Sequence, residues 1–159
     1  MKTDSKLQAI EWADGFERTT KTYIRSITVK LSPLPSSSLA QCYDIFIKNI
    51  EQLVDGNHSK ELGDTVKDIE TLEKILSAIK SPPKHRISEV RKILNCEEKA
   101  LESFIEAFKM GVVWASDKKR GDLHAVMTYQ FSKSYKWWAQ SNTLISAFIN
   151  YNLPNMKVS

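Results

Sequence analysis

The chain has 159 residues, 42% of them apolar, a formal charge of +4 and a pI near 9.0. Such a length and apolar share support one core without disulfides or metals, and a charge this modest is normal for a soluble domain. With five Gly, five Pro, little apolar/polar alternation and no run near the roughly 18 apolar residues of a membrane span, the expected fold is all-α: one compact domain over 1–159, a bundle of five or six helices with a long C-terminal helix and frayed residues at 1–3 and 154–159.

Asp4 or Ser5 can cap a first helix, along which Leu7, Ile10, Phe16, Tyr23, Ile24, Ile27 and Leu31 keep a helical period. Its β-branched end, Ile24 to Leu31, admits a short strand as the alternative. Ser32-Pro33-Leu34-Pro35-Ser36-Ser37-Ser38 breaks the helix, because each Pro lacks an amide donor and drives its predecessor out of the α region. A linker or exposed loop is expected there.

The second helix runs from about Leu39 to Val54, with Cys42, Phe46 and Ile50 inward, and Asp55-Gly56-Asn57 stops it. The third is expected over Thr65 to Lys80 with Asp64 as its cap and a solvated flank of Lys67, Asp68, Glu70 and Glu73. Ser81-Pro82-Pro83 ends it. Cys42 and Cys96 form no CxxC pair and fall on apolar faces, which reads as two buried free thiols in a reducing compartment.

Residues 87–94, a turn at Asn95-Cys96 and a new helix from Glu97 to about Trp114 follow, since Asn95 with Glu98 three places on is a capping pair. The spacing of Val90, Leu94, Leu101 and Ile105 across this turn resembles a helix-turn-helix. The second helix would expose Glu97, Glu98, Glu102 and Glu106, which phosphates repel, and an ordinary helical corner is the preferred reading.

Asp122 caps the last helix, which runs to Asn152 and stops at Leu153-Pro154. Leu123, Met127, Phe131, Trp138, Ile145 and Phe148 make its apolar stripe, widened by Trp137, Leu144 and Tyr151. Adjacent tryptophans cannot both point inward from one helix. One of them belongs at the core boundary or in a partner interface.

Chemistry is sparse. No Gly-rich phosphate loop, nucleophile elbow or His pair with metal spacing occurs, so neither cofactor nor metal is called for. Arg120 followed by His124 is similar to the ribonuclease motif of HEPN helical domains, with a spacing one residue shorter than is usual there. That resemblance implies Arg120 holding a phosphate and His124 acting on the attacking hydroxyl.

Charge is distributed unevenly: from Ser116 onward six Lys/Arg face two acids, whereas residues 36–115 carry a net −2. Lys118, Lys119 and Arg120 approach the last helix, Lys133 and Lys136 lie on it near Tyr129, and Lys84, Arg86 and Lys92 gather around the Pro-Pro turn. These eight are the candidate nucleic-acid contacts. Trp12, Phe16, Tyr129, Trp137 and Tyr151 are the candidate protein interface, for a heterologous partner or a second copy in a homodimer. With no signal peptide or membrane segment in view, the chain reads as an intracellular, cytoplasmic or nuclear, interaction or regulatory module rather than an enzyme, with nucleic-acid binding as the alternative.

Overall fold

The computed structural model describes residues 26–55, 59–80 and 88–157, and every regular element among them is helical. Residues 26–28 are helical, and four further helices follow: α1 (Leu39–Asp55), α2 (Ser59–Lys80), α3 (Ser88–Ser116) and α4 (Gly121–Lys157). The all-α bundle with a long C-terminal helix is as expected.

The most extensive packing joins α3 to α4. Met127, Phe131, Ser134, Trp138, Ser141 and Ile145 of α4 are all buried, at alternating spacings of four and three. On α3, Ile93, Glu97, Ala100, Phe104 and Ala107 are buried with the same alternation, continued by Gly111. A period near 3.5 keeps one seam facing the partner, as in a coiled coil. The pair is antiparallel: Gly111 meets Met127, the Ala100 carbonyl accepts the Ser134 hydroxyl at 2.7 Å, and Glu97 meets Trp138. Rings from both helices meet within the seam, with Phe104 5.4 Å from Trp138 between ring centroids.

Helix α1 lies across this pair. Its Phe46 packs on Phe131 at 4.7 Å and on Phe104 at 5.9 Å, so one aromatic cluster ties three helices. Ser38 and Gln41 cap α1 reciprocally, each backbone N–H donating to the other's side chain. Helix α2 packs on α3 and α1 through Ile69 and Leu72, as its short connections suggest.

Several local expectations are corrected. Residues 29–31 form a turn rather than the end of a helix, and no strand forms among the described residues at 26–31. Asn49 Nδ2 donates to the Lys30 and Leu31 carbonyls, satisfying them where the helix stops. The Ser32–Ser38 loop is no exposed linker: Ser32 and Leu34 are buried, Ser32 donates to the Cys42 carbonyl at 2.9 Å, and Tyr135 donates to the Ser37 carbonyl at 3.0 Å. Tertiary bonds fix a segment whose prolines only forbid helix.

Helix α2 starts at Ser59, not Thr65, leaving Asp64 inside it. Glu61 suits the positive end of the helix dipole, and an interior Gly63 costs only about 1 kcal/mol. Helix α3 runs unbroken through Asn95 and Cys96, so there is no helix-turn-helix. Glu97, expected outside, is fully buried because its carboxylate accepts hydrogen bonds across the seam. Helix α4 begins at Gly121, with Arg120 supplying the carbonyl that accepts from Leu123 and His124, and Asp122 sits in its first turn. It also passes Pro154 to reach Lys157, although that proline lacks an amide donor and crowds the carbonyl four residues before it. Both cysteines are buried free thiols.

Candidate functional site

Because α3 is continuous and antiparallel to α4, it brings Lys92 into one groove with Lys133 and Lys136, which lie far from it in sequence; by the seam register Lys92 stands toward the Leu144 end. The three line a groove of about 620 Å³. Its remaining described lining is Cys96, Trp137 and Leu144, which are apolar, with Asn95 and Gln140, which are neutral. No carboxylate is among these residues. The volume falls in the range of about 300–1,000 Å³ found for ligand pockets.

Each wall follows from helical spacing. Lys133, Lys136, Gln140 and Leu144 sit at steps of three and four on α4, one strip beside the buried seam. Trp138 is fully buried within that seam, while Trp137, one residue back, is half-buried at the groove. The tryptophan pair is thus divided between core and boundary. Lys99 places its Nζ 4.4 Å from the Trp137 ring centroid, a cation–π contact that holds the indole. Tyr129 extends the strip; it is 62% exposed, with Lys133 Nζ 5.8 Å from its ring centroid.

Burial pushes the Cys96 thiol above its ordinary range; the Glu97 carboxylate adds to this and the Lys99 ammonium opposes it. The groove floor therefore carries a neutral thiol, not a thiolate nucleophile.

The second basic cluster is neutralised within the fold. Lys118 donates to Glu51 at 2.5 Å and to Asp55 at 3.2 Å, and those bonds, Glu51's first, raise its pKa. Arg120 grips Asp122 through Nε at 2.9 Å and Nη2 at 2.7 Å, which raises the guanidinium pKa and lowers the Asp122 carboxyl to about 2. Lys119 is exposed beside them. Lys84, Arg86, Trp12 and Phe16 lie outside the described residues, as does the Tyr151 side chain.

His124 is also engaged. Its Nε2 lies 3.2 Å from the Tyr43 hydroxyl, which lies 2.6 Å from Thr128 Oγ1, and Thr128 donates to the His124 carbonyl at 2.9 Å. With the Thr128 proton committed, Tyr43 donates to Thr128 and Nε2–H donates to Tyr43. The imidazole also packs on Trp114, with ring centroids 5.2 Å apart. Arg120 and His124, paired by the HEPN resemblance, each thus bind a partner inside the fold.

A smaller cleft of about 270 Å³ between Lys30, Asn49, Leu53 and Glu61 mixes both charges. The described residues hold no cluster of His, Cys, Asp or Glu suited to a metal, and no helix among them is long and apolar enough to cross a membrane. Among the described residues, the groove between α3 and α4 concentrates cationic and apolar side chains. Groove-lining residues not named as site candidates from the sequence are Asn95, Cys96, Gln140 and Leu144; the last two share the Lys133–Lys136 strip, a signal that helical spacing contains. Compared with known proteins, the chain matches no family model, no curated protein and no solved structure.

Proposed function

We propose that this chain is a non-enzymatic interaction module that binds a protein partner in the α3–α4 groove. The observation that carries this reading is the combination there of an apolar floor, Cys96, Trp137 and Leu144, with a rim of three lysines. Interfaces have this anatomy: an apolar centre anchored by an aromatic side chain and a polar rim. The regulatory role follows the same logic, since such a module acts by what it holds.

Nucleic-acid binding is the second reading, favoured by Lys92, Lys133 and Lys136 lining one groove with an indole. The ion pairs of Lys118 and Arg120 weigh against a longer cationic track. A pull-down from the native host, with and without nuclease and repeated across a salt titration, separates the two. Docking on Trp137 survives nuclease, changes little with salt and is lost in Trp137→Ala and Leu144→Glu. Nuclease-sensitive retention that falls steeply with salt overturns the protein-binding reading in favour of nucleic acid.

A further inference from the structure

We infer that the partner presents an acidic amphipathic segment, with carboxylates flanking apolar side chains, that lies along α4 in the groove; this rests on the groove being a docking site. Charge supplies the first argument. Lys92, Lys133 and Lys136 all line the groove, and no described lining residue opposes them. A neutral occupant would draw three ammonium groups toward an apolar surface without compensation, whereas carboxylates pair with them at the rim.

Spacing supplies the second. Lys133 and Lys136 are three residues apart, so their stems rise about 4.5 Å along one edge of α4, and Lys92 stands on the other wall, toward the Leu144 end by the seam register. Carboxylates one helical turn apart on one side of the segment, with another on the far side about 10–15 Å further along, answer that arrangement. Between them, apolar side chains meet Cys96, Trp137 and Leu144. From Tyr129 to Leu144 the strip is about 22 Å long, the span of a helix of about 16 residues.

Two observations favour a peptide over a polynucleotide. Lys99 already covers one face of the Trp137 indole, which removes that face from base stacking. Two of the three cations that would continue a phosphate track toward the start of α4 are tied up, Lys118 to Glu51 and Asp55 and Arg120 to Asp122.

The test is selection of random displayed peptides of about 16 residues on the full chain, followed by affinity measurement and observation of the Trp137 indole N–H by NMR. The expected selection is rich in Asp and Glu around Leu, Phe or Trp. Lys133→Glu/Lys136→Glu should weaken those peptides about tenfold or more, and Lys placed for Glu in the peptide should restore binding. Lys92→Glu, on the other wall, reads the same contrast should the double variant misfold. Selection of neutral apolar peptides that shift Trp137 and ignore charge reversal overturns the acidic segment but leaves the docking site. Failure of every peptide to perturb Trp137, or displacement by a single-stranded oligonucleotide, overturns both.

Discussion

Glu97 and Trp138 meet inside the α3–α4 seam, where the indole Nε1–H donates to the carboxylate at 3.1 Å and neither side chain is reached by solvent. Ser141 donates to the other carboxylate oxygen. A buried carboxylate persists only where donors replace water, and this one joins α3 to α4 through residues 41 apart in sequence. It also fixes Trp138 inward, which turns Trp137 toward the groove.

Removing a donor from that carboxylate should therefore cost stability. Trp138→Phe and Ser141→Ala are each expected to destabilise by about 1–3 kcal/mol, and Glu97→Leu by a similar amount through the unsatisfied indole N–H and hydroxyl. Urea unfolding monitored by circular dichroism checks this. Losses below about 0.5 kcal/mol in all three would mean that the cross-seam bonds contribute nothing net.

The two glycines of α2 and α3 should behave oppositely. A Cβ at Gly63 meets nothing within 4 Å, so Gly63→Ala is expected to stabilise by about 0.5–1 kcal/mol through helix propensity. A Cβ at Gly111 falls 3.2 Å from Met127 Sδ and 3.5 Å from Ile50, where α1, α3 and α4 converge. Met127 can yield a few tenths of an ångström to Ala, but Gly111→Leu should cost about 2 kcal/mol or more by overpacking. Thermal melting of the variants distinguishes the sites.

Cys96 should react slowly with iodoacetamide at neutral pH, because burial and Glu97 hold its thiol above the ordinary range and only the thiolate attacks. Alkylation of the native chain followed by peptide mass analysis should show Cys96 modified far more slowly than in the urea-unfolded chain, with the rate rising as pH increases. Equal rates in the two states would contradict its place in the groove floor.

Acid should weaken the start of α4. Asp122 has a folded pKa of about 2 against about 3.9 for an unfolded aspartate, so its contribution is present above about pH 4 and lost as pH falls toward 2. Asp122→Asn should lose that part of the pH dependence between 4 and 2 while leaving the rest of the acid profile. An unchanged profile would mean that the Arg120 pair does not form in solution.

How much of this was legible in the sequence depends on how local each cause is. The α4 seam through Met127, Phe131, Trp138 and Ile145 followed from apolar spacing alone, and the division between Trp137 and Trp138 from helical geometry. The continuity of α3 did not: Asn95 and Glu98 form a plausible cap locally, and the donors that bury Glu97 come from Trp138 and Ser141 on another helix. That misreading hid the groove, because Lys92 shares one groove with Lys133 and Lys136 only when α3 runs straight beside α4. Lys118 reads as part of a cationic patch for the same reason, since Glu51 and Asp55 on α1 neutralise it from a distance in sequence.

The central claim, a protein-docking groove between α3 and α4, is met most directly by site-specific photo-cross-linking in the native host. A photoreactive residue replaces Gln140, exposed in the groove, or Glu70, exposed on α2. A discrete nuclease-resistant protein adduct at position 140, absent at position 70 and lost with Lys133→Glu/Lys136→Glu, is the expected result. A nucleic-acid adduct at 140, equal labelling at both positions, or none at 140 would contradict it.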